Sequence, residues 1–172
     1  MINNPTISGY KPFYIQKGDT CYDTKTEWGF IAKSNPYLAL PEPKEPYANK
    51  LKDEHGDDEY TNHIYYESFT FDVQFYTRTQ DTVNNGSVTE TAAETIRAKL
   101  KAFFDIVKEG NLKVFDSYTA LGRQKVRYGG YKEEKFYSRG DMAKCIFTIT
   151  FKVNDPITMM KYDTSTSKII EI

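Results

Sequence analysis

The chain has 172 residues, and its 23 Lys and Arg residues nearly balance 24 Asp and Glu residues, so the formal net charge is -1. This length predicts one domain with a core of its own. The charge balance gives no electrostatic argument for nucleic acid or an anionic membrane as the main partner. The sequence contains no apolar run long enough to span a membrane and no secretory leader, so we expect a soluble protein synthesised in a cytoplasm.

The N-terminal part predicts little regular structure. Residues 1–22 mix aromatic residues with glycine and proline, which predicts an extended arm or a short strand at residues 13–16. Residues 28–32 predict a strand. Pro36 ends it, because the residue before a proline is disfavoured in the helical region.

Prolines and carboxylates dominate the next segment. Pro41, Pro43 and Pro46 exclude a helix or a central strand and predict an extended loop over residues 40–50. The acidic run 53–59 follows. Clustered carboxylates suit hard cations, but this run lacks the alternating spacing of a calcium-binding loop, so we favour a solvated loop or an interface patch.

The first long strand is predicted at residues 65–76, where apolar and polar side chains alternate. One face would carry Phe69, Phe71, Val73 and Phe75 into the core, and the other would carry Ser68, Thr70, Asp72 and Gln74. Residues 78–88 predict a polar loop, in which Asn84-Asn85-Gly86 is a strong turn signal.

An amphipathic helix is predicted over residues 91–109, with Thr91 and Glu94 forming a capping box and Gly110 as the C-cap. Its apolar positions recur at helical spacing and are Ile96, Leu100, Phe103, Phe104 and Val107. A helix of this length is not stable alone, so it must pack on the sheet.

The return to strand begins at Leu112 and Val114, and Gly122 interrupts it. Residues 123–128 alternate again, and Gly129-Gly130 predicts a turn or a bulge before a charged loop at 131–141.

The last strand is predicted at residues 145–153, with Cys145, Phe147, Ile149, Phe151 and Val153 on one face. Pro156 ends it. The final residues, 158–172, show no clear period and receive no assigned structure.

These elements predict an α+β fold, an antiparallel β-sheet sandwich or open barrel with one packed α-helix. The predicted organisation is an N-terminal arm (1–27), a single β-rich domain (28–157) with a loop insertion (35–64), and a C-terminal tail (158–172). The outer strand faces are rich in Ser, Thr, Gln, Asp and Lys, which suits either solvent or a wet interface with a neighbouring subunit or a lumen.

No motif in the sequence carries catalytic chemistry, and we predict neither an enzyme nor a cofactor. Cys21 and Cys145 lack the spacing of a zinc or redox motif, so both are expected to be ordinary thiols. His55 and His63 have no third ligand in register, which favours surface residues over a metal site.

Arg123, Lys125 and Arg127 place cations beside aromatic residues in one alternating segment. A nucleic-acid-binding module could use such cations for phosphate contacts. We favour the plainer interpretation, the polar outer face of a strand, because acidic residues follow closely and the chain has no basic excess.

The order of these features resembles the tail proteins of tailed bacteriophages, most closely the N-terminal domain of the distal tail protein family. The residues that carry the resemblance are Leu40-Pro41-Glu42-Pro43, His55-Gly56-Asp57-Asp58, the strand 69–76, the helix 91–109 and Phe151-Lys152-Val153-Asn154-Asp155-Pro156. The chain is also similar to prophage proteins of gut Bacteroidetes that share the GDD-Y, GRQ-VR and FKVNDP elements.

The resemblance implies a tail-tube-like fold and a structural role in the virion tail, after synthesis in the host bacterial cytoplasm. The implied protein forms a ring with itself, expected to be hexameric, and joins the tail tube to tail-tip or baseplate proteins. A tail terminator, which joins the tail to the connector at the neck, is the alternative; a terminator typically opens with a helix, which this chain lacks. A membrane partner is not implied, and nucleic acid enters at most by passage through a lumen.

Subunit contacts in such a ring are expected from the proline-rich and acidic segments and from the cationic strand. The candidate residues are Pro41, Pro43, Pro46, Asp53, Glu54, Asp57, Asp58, Arg123, Lys125 and Arg127.

Overall fold

The structure is a computed structural model that describes residues 9–33, 40–46, 48–49 and 58–172. Neither helix in these ranges is both long enough and apolar enough to cross a membrane. The helices are α1 (Thr24–Trp28) and α2 (Ala92–Val107), and the strands are β1 (Phe13–Lys17), β2 (Thr20–Asp23), β3 (Ile31–Ala32), β4 (Ala48–Asn49), β5 (Asp58–Glu59), β6 (Phe69–Gln80), β7 (Thr82–Asn84), β8 (Ser87–Glu90), β9 (Leu112–Asp116), β10 (Leu121–Arg139), β11 (Met142–Val153), β12 (Met159–Asp163) and β13 (Lys168–Glu171).

Most strands belong to one antiparallel sheet in the order β2-β1-β9-β10-β11-β6-β3, and β12 and β13 branch from β10. The end strands β2 and β3 do not pair with each other in the described residues, so the sheet is open. Two further strand pairs, β4-β5 and β7-β8, stand apart from it. The coarser part of the predicted fold, a mostly antiparallel and β-rich structure with a packed helix, is confirmed, and the sheet is not a closed barrel. The finer choice between a sandwich and an open barrel stays a prediction.

The centre of the sheet is the β6-β11 pair, which runs in one unbroken register from Met142 opposite Gln80 to Val153 opposite Phe69. The predicted alternation is confirmed in both strands, since Phe71, Val73 and Phe75 and all five predicted residues of β11 are buried. The predicted start of the first strand was early, because β6 begins at Phe69 and continues to Gln80.

Helix α2 covers this buried face, and its predicted capping box is confirmed. The Thr91 hydroxyl accepts the Glu94 N–H at 3.3 Å, and the Glu94 carboxylate accepts the Thr91 N–H at 2.9 Å. The prediction of Gly110 as C-cap is wrong, because the cap is Lys108, whose right-handed backbone donates its N–H to the Phe104 carbonyl. The left-handed residue that follows the helix is Asn111, with φ of 63°.

The strand predicted at residues 28–32 is divided between a helix end and a short strand. Asp23 caps α1 by accepting the Lys25 N–H at 2.9 Å. Gly29 ends the helix in the left-handed conformation with φ of 72°, as is usual for glycine after a helix. Trp28 therefore reaches the core from a helix and packs edge-on against a ring of α2.

The polar loop predicted at 78–88 is instead the end of β6 followed by the β7-β8 hairpin. The predicted turn is confirmed at its tip, where Asn85 and Gly86 have φ values of 49° and 78°. Two consecutive left-handed residues match the right-handed twist of the paired strands.

The charged loop predicted at 131–141 is also a strand, because β10 continues to Arg139. Its pairing with β11 shifts at two places, between Tyr128 and Gly130 and between Glu133 and Lys135. The first shift confirms the bulge predicted at Gly129-Gly130. The second inserts an extra residue, which breaks the alternation that would have marked the strand.

The C-terminal residues, which received no assigned structure from the sequence, form the β12-β13 hairpin. After the short connection that follows β11, β12 pairs with the first part of β10, placing Met160 opposite Gly122. The hairpin packs on β1: the side-chain amide oxygen (Oε1) of Gln16 accepts the Ile169 N–H at 2.7 Å, and the rings of Tyr14 and Tyr162 stack at 3.9 Å. The short strand expected near residues 13–16 is β1, which this hairpin covers.

Candidate interaction surfaces

The proline-rich segment is extended, as predicted, and it pairs with the chain that leads into β6. Pro43 and Tyr66 form an isolated antiparallel bridge, flanked by backbone hydrogen bonds of 2.7 and 2.8 Å. Pro43 is exposed, whereas Pro41 and Pro46 are half-buried. Several large apolar side chains are exposed along this pair of segments: Leu40, Tyr60, Ile64, Tyr65 and Tyr66. Such a concentration of exposed apolar surface is a feature of interaction sites.

Most of the acidic run cannot be placed on this surface. Asp53, Glu54 and Asp57 lie outside the described residues, as does His55, and Asp58 is described only through its backbone in β5. The prediction that these carboxylates contact a neighbouring subunit stays a prediction.

The three cations of the predicted strand face do not lie together, which overturns that part of the prediction. Arg123 is completely buried and its guanidinium lies 5.6 Å from the centre of the Phe69 ring. Lys125 is exposed and left-handed, with φ of 52°, and the β9-β10 pairing shifts between Arg123 and Val126. This irregularity turns Arg123 and Val126 inward and leaves Lys125 and Arg127 exposed.

The second half of β10 forms a long free edge. Its pairing with β9 ends at Val126, and its pairing with β12 is confined to Gly122 and Arg123. Over residues 127–139, β10 pairs only with β11 in the described part of the chain. The other side of this stretch therefore presents backbone donors and acceptors that another strand could use.

An apolar groove lies beside this edge, between α2 and β10. Its volume is about 330 Å³, and it is lined by Arg97, Leu100, Lys101, Phe103, Phe104, Tyr128, Tyr131 and Ile149. Phe104 is 43% exposed and Tyr131 is 41% exposed, so the groove places large aromatic surface in contact with water. The sequence predicted Phe104 on the apolar face of the helix but not the groove, which exists because α2 covers β6 and β11 and leaves part of β10 uncovered.

A hydrogen-bonded cluster fixes one end of the groove. Arg97 makes two hydrogen bonds to the Glu133 carboxylate, at 2.6 and 3.2 Å, and the Tyr131 hydroxyl donates to the same carboxylate at 2.8 Å. The bond from Arg97 lowers the pKa of Glu133, while burial and the adjacent carboxylate raise the pKa of Tyr131. Arg97 also stacks over the Phe136 ring at 4.3 Å. These contacts link α2 to β10 through Arg97.

The face of the sheet opposite α2 is polar, as the alternation predicts, and its strands are joined by side-chain hydrogen bonds. Thr150 donates to Asp72 at 2.6 Å, linking β11 to β6. Thr148 donates to Glu134 at 2.8 Å, and Gln74 also donates to Glu134, linking all three strands.

The thiols are free: Cys145 is buried and Cys21 half-buried. Burial, with a contribution from Asp23, raises the pKa of Cys21 to about 11, and burial also raises the pKa of Cys145. Thiols with raised pKa values are poor nucleophiles and poor ligands at neutral pH. His63 is exposed, and within the described residues no three His, Cys, Asp or Glu side chains come together as a metal site.

No protein-family model matches the chain, and no curated protein matches it. Among solved structures it is similar to the crystal structure of Dit (gp 19.1) of phage SPP1, described as a paradigm of the hub adsorption apparatus in phages that infect Gram-positive bacteria. The TM-score is 0.51 at 12% sequence identity, over 87% of this chain and 52% of the SPP1 chain. The likeness at this identity is one of fold, and this chain spans about half the length of the SPP1 protein.

Proposed function

We propose that this chain is a non-enzymatic, ring-forming component of a bacteriophage tail that joins the tail tube to the tail tip or baseplate. The observation that carries the proposal is the likeness of fold to a phage hub protein across 87% of the chain. The order of strands and the single long helix, which gave the resemblance from the sequence, support the same assignment.

Two features of the surface support self-association as the way this role is fulfilled. The free edge of β10 at residues 127–139 and the apolar groove beside it form one continuous surface. A long edge with adjacent apolar side chains tends to pair with another chain unless it is covered. A neighbouring subunit in a ring would cover both.

The position in the tail is tested by electron microscopy of virions that carry a tagged copy of the protein. We expect a ring of label at the distal end of the tail. Label at the neck would assign the terminator role instead, and label absent from particles would contradict a structural role.

The self-association surface is tested with Phe104→Glu, which places a charge at the edge of the groove. We expect the purified variant to remain folded and to associate at least tenfold more weakly than the wild type, because a buried, unpaired carboxylate costs several kcal/mol. Ala102→Glu is the matched control, since Ala102 is exposed on the same helix and does not line the groove. Light scattering coupled to gel filtration measures the self-association of both variants. An equal loss of association in the two variants would contradict the assignment of this groove.

A further inference from the structure

The outer face of the central strands carries an excess of positive charge that the whole chain does not have. The registers of β6, β11 and β10 place seven cations and Asp72 on this face, and hydrogen bonds from Gln74 and Thr148 place Glu134 there, a formal excess of five positive charges in a chain of net charge -1. The cations are Arg78, Arg127, Lys132, Lys135, Arg139, Lys144 and Lys152, and the carboxylates are Asp72 and Glu134.

Two pairs of these cations lie directly opposite each other across neighbouring strands. Lys144 of β11 faces Arg78 of β6, and Lys152 of β11 faces Arg127 of β10. Like charges in directly opposed positions destabilise a sheet. A fold that keeps two such pairs on one face violates a local rule of sheet stability, which is expected where a surface serves binding.

The cations on this face differ from those elsewhere on the surface in their ion pairing. The cations Lys17, Arg97, Lys101, Lys108 and Lys168 each form an ion pair with a carboxylate. Within the described ranges, none of the seven cations on the outer face forms one. The two carboxylates on the face accept hydrogen bonds from Thr150, Thr148 and Gln74 instead.

We propose that this face binds the phosphate backbone of double-stranded DNA, independently of base sequence. From Lys152 to Met142 on β11 the cationic face extends for about 34 Å, close to one turn of B-DNA. Lysines and arginines that form no ion pair with a described carboxylate supply the charge neutralisation that dominates sequence-independent binding.

A pocket at one end of the face fits the same ligand. It has a volume of about 430 Å³ and is lined by Tyr137, Arg139, Met142 and Lys144. The Tyr137 ring is 57% exposed, so a planar apolar surface stands beside two cations. Arginine, lysine and tyrosine side chains are common donors to phosphate oxygens, so this combination suits a backbone phosphate.

An acidic protein surface is the competing partner, and the composition of the face argues against it. The cores of protein interfaces are depleted in lysine and enriched in apolar and aromatic side chains. Four of the seven cations here are lysines; of the large apolar side chains on the face, Tyr137 is exposed and Tyr76, Met142 and Ile146 are half-buried. The apolar groove and the proline-rich segment, which fit protein partners better, lie elsewhere.

The test measures binding of the full-length chain to a fluorescently labelled duplex of about 30 base pairs by anisotropy, from about 50 to 200 mM salt. The face variant combines Arg78→Gln, Arg127→Gln, Lys144→Gln and Lys152→Gln. The control variant combines Lys17→Gln, Lys101→Gln, Lys108→Gln and Lys168→Gln, with the same change in net charge away from this face. Circular dichroism confirms that both are folded, and loss of the opposed like charges should leave the face variant at least as stable as the wild type.

We expect the face variant to bind DNA about 100-fold more weakly at low salt, and the slope of log binding constant against log salt concentration to be shallower by about 3.6. The binding constant of the control variant should stay within about threefold of the wild-type value. Absence of wild-type binding at low salt, or equal losses in the two variants, would overturn the proposal. Competition by polyglutamate as strong as that by DNA at equal charge would assign the face to an acidic protein instead. These measurements use the purified chain, so their outcome is separate from that of the position in the tail.

Discussion

The carboxylate of Asp155 determines the path of the chain between β11 and β12. Its Oδ1 accepts the backbone N–H groups of Ile157 and Thr158 at 3.2 and 3.1 Å, and its Oδ2 accepts a hydrogen bond from Gln124 at 2.7 Å. Burial alone would raise the pKa of Asp155, but these hydrogen bonds lower it to about 2. The ionised carboxylate is therefore the form that the folded chain requires.

Asp155→Ala is expected to lower the free energy of unfolding by about 1–3 kcal/mol at neutral pH, because three donors lose their acceptor. The folded-state pKa lies below the unfolded value of about 3.9, so the stabilisation is complete above about pH 5 and is lost as the pH falls through 4 towards 2. Urea unfolding across this range should show a steeper acid loss for the wild type than for the variant. Glu171→Ala, which removes an exposed carboxylate, is the control, and a variant with the wild-type acid slope would contradict the role of Asp155.

Gly122 allows β12 to approach β10 closely. A Cβ at this position would lie 2.8 Å from the carbonyl carbon of Met160 and 2.9 Å from its Cβ, distances that real side chains do not adopt. Gly122→Ala should therefore displace β12 and lower the free energy of unfolding by about 1–3 kcal/mol in urea titrations. Gly130→Ala, in the same strand but with no heavy atom within 4 Å of the added Cβ, is the control. Equal losses in the two variants would show that the close approach does not matter.

The position of Arg123 could not be predicted from the local sequence pattern. Alternation places Arg123, Lys125 and Arg127 on one wet face, yet the left-handed backbone at Lys125 sends Arg123 into the core. Lysine is uncommon in that conformation, so nothing in the segment marks the irregularity. The irregularity coincides with a shift in the pairing with β9, next to the residues that pair with β12 from much later in the chain.

The elements that could be predicted are those whose signals are local. β6 and β11 each carry an uninterrupted alternation, and α2 begins at a capping box that its own residues complete. The second half of β10 was missed because the bulge at Glu134 breaks its period. β12 and β13 were missed because Met160 and Ile169 are buried in a hairpin that packs on β1, from the other end of the chain.

Gln16 links the C-terminal hairpin to β1. Its buried side chain accepts the Ile169 N–H, so Gln16→Ala leaves a buried donor without a partner. We expect a loss of about 1–3 kcal/mol in the free energy of unfolding. Hydrogen exchange should show faster exchange in β12 and β13 than in β6 and β11, because the hairpin is the part released. Gln80→Ala, at an exposed position, should change neither quantity, and uniform loss of protection in Gln16→Ala would argue against a local clasp.

Strand β10 contributes to each of the three surfaces described above: the free edge, the apolar groove and the cationic face. Its first residues pair with β9 and β12, its residues from Val126 to Arg139 pair with β11, and its second half borders the apolar groove and leaves one edge free. The sheet and its helix could be predicted from the sequence because their apolar side chains pack against one another to form the core. The sequence could not predict the groove, the free edge or the cationic face, because each of these depends on the length and register of β10.

The β7-β8 hairpin pairs with no other strand in the described part of the chain. Val83 and Val88 face each other across it and are 58% and 54% exposed. A two-stranded hairpin is marginally stable alone. If the chain assembles as proposed, we expect a neighbouring subunit to cover this hairpin.

Val83→Ser combined with Val88→Ser should therefore weaken self-association while changing the free energy of unfolding by less than about 0.5 kcal/mol. Sedimentation velocity over a range of concentrations measures association, and urea titration measures stability. Ile157→Ser combined with Ile172→Ser is the matched control, because these side chains are 58% and 74% exposed outside the hairpin. A hairpin variant that associates like the wild type would exclude this contact, and a wild type that stays monomeric throughout would contradict assembly by the chain alone.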